Sequence, residues 1–336
     1  LGVDMAPLQR NTMGQRRAYG MISLLLTVLL LPMATAVDST VSVNTTWSGN
    51  MVLSGNVTVA NGATLTVASG TSVDAKEYTI IVEGVLVADQ STSFSSVVPE
   101  TQGSHGQGLW PGIVIEANGE ATLANVTVAN ASAGVLVRGT LSASDVVFND
   151  AYRGLSLMGG TAIVDGFEAH RMDYEAVYVE SGSLNLSDGL ADEVAVGLAN
   201  HGTSHVEDFA VKEAGVGVQA LGGSLTLSGL SVENASVGLA TVSGASSTVS
   251  QFNGHGMPLA IDAGDADDFS VSSGILYGER FMVGQGTSQM HISDVDFFST
   301  SADEMRPAVD VRCEGQCTLE HTDIHSPTVG VSWSGS

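Results

Sequence analysis

Gly134-Val135-Leu136-Val137, Gly154-Leu155-Ser156-Leu157, Ala176-Val177-Tyr178-Val179, Gly197-Leu198-Ala199, Gly217-Val218-Gln219 and Gly238-Leu239-Ala240 are one short pattern written six times. The steps between their small residues are 20, 22, 21, 20 and 21. Upstream of each lies a second pattern, apolar at spacings of 2, 3 and 2. Examples are Ala121, Leu123, Val126, Val128 and Leu225, Leu227, Leu230, Val232. A fixed period of this length denotes stacked supersecondary units. The apolar residues alternate with Thr, Ser and Ala, the period of a strand, and Gly, Ser, Asn and Asp fall between the runs as turns. Each unit is too short for a strand, a helix and two loops. It reads as two or three strands bent into one coil, with equivalent positions stacked about 4.8 Å apart.

The pattern resembles the right-handed parallel β-helix of the pectate-lyase-like superfamily, over roughly residues 50 to 336. The resemblance implies an all-β solenoid with coils of about 20–22 residues. It implies little about chemistry, because the superfamily hosts lyases, hydrolases, adhesins and passive surface domains. The expected inward stack is Val135, Val137, Leu155, Leu157, Val177, Val179, Leu198, Val218 and Leu239. The expected outward row is Leu136, Ser156, Tyr178, Ala199, Gln219, Ala240 and Ala260, with no charge in it.

Outside the regular coils, residues 47–90 read as the first turns and 91–109, with Pro99, His105 and Leu109, as a long loop before Trp110. Pro258 is expected in the small-residue column and Ala308 as the next match, so Asp262 to Asp268 reads as an irregular acidic segment. The chain starts at Leu1. Met13, the basic pair Arg16 and Arg17, the apolar run Leu24 to Leu31 and Ala34-Thr35-Ala36 have the order of a secretory signal peptide. This reading divides the chain into a signal segment, 1–36, and one solenoid domain, 37–336, whose last coil is expected to continue past Ser336. An exported, secreted or cell-surface protein follows. Sequons at Asn44, Asn56, Asn125, Asn130, Asn185 and Asn234 fit export. Cys313 and Cys317, close together in an exported chain, are expected to form a disulfide.

There are 11 basic and 36 acidic residues, a net charge of −25. Such a surface repels nucleic acid, and contact with a membrane is expected only through the signal segment or a region beyond the C-terminus. No cofactor is required, although an acidic surface can collect Ca²⁺. Candidate ligands for it are Asp192, Glu193 and Glu213, from adjacent coils.

The richest chemistry lies in the turn before the small-residue column. In register, Tyr152 falls over Tyr174 and Arg153 over Glu175, with Tyr178 beside them. These five are the candidate binding residues, for a polysaccharide or another cell-surface component. Arg171, His170 and Asp173 are the catalytic candidates, with Arg171 or His170 as general base. An aromatic ladder with a salt bridge between coils accounts for the same residues without a ligand. Gly254-His255-Gly256 is similar to a motif of pectin-hydrolysing relatives, but the paired upstream Asp residues of those enzymes are absent. Two functions remain: a structural or binding module in adhesion or glycan contact, or a lyase or hydrolase acting on acidic polysaccharide.

Overall fold

The computed structural model describes residues 35–37, 39–96, 110–300, 307–326 and 330–335. The signal segment up to Ala34 and the loop residues Pro99, His105 and Leu109 lie outside them. All regular structure is β, wound into a parallel β-solenoid of about 13 turns with coils of about 21 residues. Each coil contributes one strand to each of three faces. In a central coil the first face is Ala133–Val137, the second is residues 140–144 and the third is residues 146–149.

Every rung pairs in parallel with the next. On the first face Leu198, Val218, Leu239, Ile261, Met282 and Val309 follow one another in register. All nine residues expected in the inward stack are buried. The second and third faces add their own stacks, in which Phe148 and Phe167 meet with ring centroids 5.5 Å apart. A parallel sheet rolled on itself hides one side of every strand, and this is why the sequence alternates so regularly.

The small-residue column follows from the spacing of the rungs. A Cβ on Gly217 would lie 2.4 Å from the carbonyl oxygen of Gly238 and 2.9 Å from a methyl of Val232. The equivalent atom on Gly197 would meet the Gly217 carbonyl at the same distance. At these glycines the inward backbone leaves no room for a side chain beneath the next rung.

Two corners of each coil turn on a single left-handed residue. Between the second and third faces these are Asn125, Asp145, Gly166, Asp188, Asp208 and Gly229. Between the third and first they are Asn130, Asp150, Arg171, Glu193, Glu213 and Asn234. Asn, Asp and Gly tolerate that conformation best. Arg171, Glu193 and Glu213 occupy it at a cost on the order of 1–3 kcal/mol each.

Several readings are corrected. Residues 92–95 are a strand paired with 126–129, not part of a loop. The register passes from Leu239 to Ile261, so Ala260 and not Pro258 stands in the small-residue column. Phe281 is the next member, its amide bonded to the Ala308 carbonyl, and Asp262 to Asp268 belongs to regular coils with one tight turn at Asp265. The sequence alone could not detect this two-residue shift, because Leu259 and Ile261 both suit an inward position. As a result, the outward row of the first face carries Asp262 and Asp310 after Ala240, and it is not free of charge. Ser156 and Ala199, expected on the surface, are covered.

The cysteines are bonded as anticipated, with Cα atoms 6.2 Å apart. Cys313 ends a first-face strand beside Thr287 and Cys317 opens a second-face strand beside Met290, so the bond staples the corner between them. Thr35–Val37 pairs with 51–53, which places the expected cleavage point after Ala36 inside the first rung.

Two substitutions test this account. Gly217→Ala should destabilise the central coils by about 1–3 kcal/mol through overpacking, seen as a lower thermal midpoint and faster amide exchange in neighbouring rungs. Cys317→Ser should cost about 2 kcal/mol or less, because the closed loop is short. Its effect on exchange should stay within the last coils.

Candidate functional site

The third face and its two corners carry the chemistry. At the corner between the second and third faces, the left-handed column forms a ridge of short side chains broken at Gly166. A surface cleft of about 630 Å³ opens there, spanning the rungs from Asn125 to Asp208. Half-buried Val147 and Leu190 contribute apolar surface, and the polar lining is acidic: Asp145, Asp165, Glu168, Asp188 and Asp208. No Lys, Arg or His lines it. Asp145, Asp188 and Asp208 are at left-handed positions, where the backbone itself favours Asp. Asp165 and Glu168 carry no such demand. The Ser187 hydroxyl donates to Asp165 at 2.8 Å.

Sequence reasoning missed this cleft. Its signal was present as Asn125, Asp145, Gly166, Asp188 and Asp208, spaced 20, 21, 22 and 20 and each just before an inward residue or Gly189. Read as punctuation between strands, the column conceals the fact that its side chains share one edge.

From the cleft the surface runs across the third face. Glu168 lies 3.5 Å from His170, whose other ring nitrogen is 3.7 Å from Asp192. Lys212 is in register between Asp192 and Glu233. Arg171, on the next corner, is gripped by Asp150 through two hydrogen bonds, 2.6 and 2.9 Å. This contact raises the guanidinium pKa further above its ordinary value. A guanidinium held protonated in this way is a poor proton acceptor. Asp173 has one carboxylate oxygen shielded from solvent and without a hydrogen bond among the described residues.

The five candidate binding residues do come together. Tyr152 and Tyr174 stack with centroids 4.5 Å apart. Arg153 bonds Glu175 at 2.5 Å and lays its guanidinium 4.2 Å over the ring of Tyr178. Glu175 is buried, so this ion pair is part of the wall. The inner ring faces are used up by their neighbours, which leaves edges and hydroxyls outward. The Tyr178 hydroxyl donates to Glu180, and His201 meets the Tyr178 ring edge-on at 6.0 Å.

Glu193 and Glu213 hold equivalent left-handed positions on adjacent coils, as the register implied, and both are exposed. Asp192 is in register with Lys212, and its carboxylate lies 3.7 Å from His170. Among the described residues no three acidic, His or Cys side chains converge in a group suited to a metal ion. Of the six sequon asparagines, Asn44, Asn56, Asn125, Asn185 and Asn234 are exposed. Asn130 is half-buried and its side-chain nitrogen donates to the Ser96 carbonyl at 3.1 Å. Among the described residues no helix is long and apolar enough to cross a membrane.

No protein-family model and no curated protein matches the chain. Its fold is similar to that of a mutant tailspike protein of the E. coli bacteriophage HK620, solved in complex with a hexasaccharide. The TM-score is 0.58 at 10% identity, over 90% of this chain and 67% of that one. A double mutant of that tailspike gives a TM-score of 0.42 at 12% identity with the same coverage. At such identities the likeness is one of fold.

Tyr178 offers a direct test of the local geometry. Its hydrogen bond to Glu180, with burial and the Glu180 charge, pushes the phenol from 10.0 up to about 12, against the opposing pull of Arg153. A raised phenol pKa stabilises the folded state fully below pH 10, and that contribution fades as pH rises from 10 toward 12. Ultraviolet titration should show a component near pH 12 from Tyr178, with Tyr152 also raised by its hydrogen bond with Tyr174. Glu180→Gln should move the Tyr178 component back toward 10, and Tyr178→Phe should remove it.

Proposed function

We propose that this chain is an extracytoplasmic β-solenoid module that holds a glycan in the cleft between Asn125 and Asp208. The observation that carries the reading is the cleft: about 630 Å³ across successive rungs, lined by carboxylates with half-buried Val147 and Leu190 among them. Carboxylates accept paired hydrogen bonds from sugar hydroxyls, and apolar side chains suit the C–H faces of a pyranose ring. The fold supports the reading, since the similar tailspike was solved with a hexasaccharide bound. The Cys313–Cys317 bond and the N-terminal signal pattern support export to an oxidising compartment.

The charge of the site points to the ligand. With no cation in the lining and a net charge of −25, uronate or sulfated polymers are repelled, and a neutral glycan is the favoured partner. This argues against lysis of an acidic polysaccharide. A second reading, glycoside hydrolysis, is favoured by the presence of several carboxylates in one cleft, because that reaction needs two flanking the scissile bond.

Screening the full chain against immobilised neutral and anionic oligosaccharides tests the reading. Retention of neutral glycans is expected, with about a tenfold loss of affinity in Asp165→Asn with Glu168→Gln, because hydrogen bonds to charged groups are the stronger ones. Failure to retain any glycan, or retention indifferent to the two substitutions, would sink the proposal. Release of reducing ends from a retained glycan would establish the hydrolytic reading over simple binding.

A further inference from the structure

The sequence contains three Asn-Gly pairs, Asn61-Gly62, Asn118-Gly119 and Asn253-Gly254. Such a pair is a reactive place for loss of a side-chain amide. Glycine has no Cβ to obstruct its own backbone nitrogen, and its backbone turns freely. The fold treats the three pairs differently. Asn253 lies within the strand Ala245–Gly264, and its Oδ1 accepts a hydrogen bond from the Ile275 amide at 3.1 Å. Gly254 is buried there, in register between Val232 and Leu276. Gly119 is buried as well. Its amide donates to the Glu116 carbonyl at 2.7 Å, and a Cβ on it would lie 2.0 Å from the Val82 carbonyl oxygen. Neither nitrogen reaches the preceding side chain without disturbing packed rungs.

Asn61-Gly62 sits outside this grip. The pair is exposed at the tip of the turn from Ala60 to Ala63, between the strands Val57–Val59 and Thr64–Val67. The Ala63 amide donates to the Ala60 carbonyl at 3.0 Å and Gly62 has a φ of 81°, the geometry of a type II turn. Among the described residues no hydrogen bond engages the Asn61 side chain or the Gly62 amide. Nothing beyond the chain neighbours lies within 4 Å of where a Gly62 Cβ would stand. The ends of the turn are held by adjacent rungs. The Ala60 amide donates to the Val41 carbonyl at 2.9 Å, and the Ala63 carbonyl accepts the Val85 amide at 3.0 Å. Only the tip is left to rotate.

We propose that Asn61 is a site of spontaneous deamidation, selected from the three pairs by the fold. The deprotonated Gly62 nitrogen attacks Asn61 Cγ. The new N–C bond closes a cyclic imide as the Cγ–Nδ2 bond breaks, and the Gly62 proton passes through solvent to the departing ammonia. Water then adds to one imide carbonyl and breaks its bond to nitrogen. Opening at Cγ gives aspartate, and opening at the main-chain carbonyl gives isoaspartate. Either product adds a carboxylate to a chain of net charge −25. The isoaspartate form also adds one backbone atom, for which the open space around Gly62 leaves room.

Incubation of the full folded chain in warm, mildly alkaline buffer, followed by peptide mapping with mass spectrometry, tests the proposal. Asn61 is expected to convert about tenfold or more faster than Asn118 and Asn253, because local opening costs least at an exposed turn tip. Aspartate and isoaspartate should both appear, the second detected by enzymatic methylation of its carboxylate. In denaturant the three pairs should convert at similar rates, since the fold makes the selection. Asn61→Gln should remove the early product, because glutamine closes its ring far more slowly. Equal persistence of the three pairs in the folded chain, or earlier conversion of Asn118 or Asn253, would overturn the proposal. So would the same preference for Asn61 in denaturant, which would assign the selectivity to local sequence.

Discussion

The closeness of one rung to the next governs this protein. Parallel strands about 4.8 Å apart satisfy their backbone groups only when each coil repeats the last. Repetition of the backbone forces repetition of the sequence. Where the backbone turns inward, as at Gly197 and Gly217, even one methyl would press on the carbonyl above. Where it runs straight, Val, Leu and Ile fill the interior. A 336-residue chain with aromatic content of 5% can build a long core this way, because each layer is small and the layers are many.

The corners transmit the same constraint to the surface. Each turns on a residue with positive φ, and the residues that tolerate this are Asn, Asp and Gly. A structural need thus deposits a column of carboxylates on one edge, and they line the cleft. The second corner departs from the rule with Arg171, Glu193 and Glu213, and it is there that Arg171 reaches back to Asp150. Binding surface and fold are made of the same positions. Asp165 and Glu168 stand apart because the backbone does not require them.

Around Tyr152 and Arg153 the balance tips toward structure. Stacked rings 4.5 Å apart and a part-buried ion pair at 2.5 Å tie two adjacent coils together. Stacking in register is favourable whether or not a ligand is present. Tyr152 covers one face of the Tyr174 ring, and Tyr174 remains exposed at the edge.

Much of this architecture was legible in the bare sequence. The period of 20 to 22, the alternation and the small-residue column specify a parallel solenoid, because only coil-on-coil stacking makes equivalent positions recur so evenly. The inward stack from Val135 to Leu239 and the Tyr152–Tyr174 and Arg153–Glu175 contacts follow from register, and the Cys313–Cys317 bond from the closeness of two cysteines in a chain read as exported. The structure decided what register cannot: the two-residue slip that moves Ala260 into the column and Asp262 onto the outer row, and the conversion of 92–95 from loop to strand. It also decided which side chains at neighbouring corners share one space. A one-dimensional period states which residues are equivalent. It does not state how sharply the chain bends between faces, and that bend, set by single left-handed residues, brings Asp145, Glu168 and Asp208 to the same cleft.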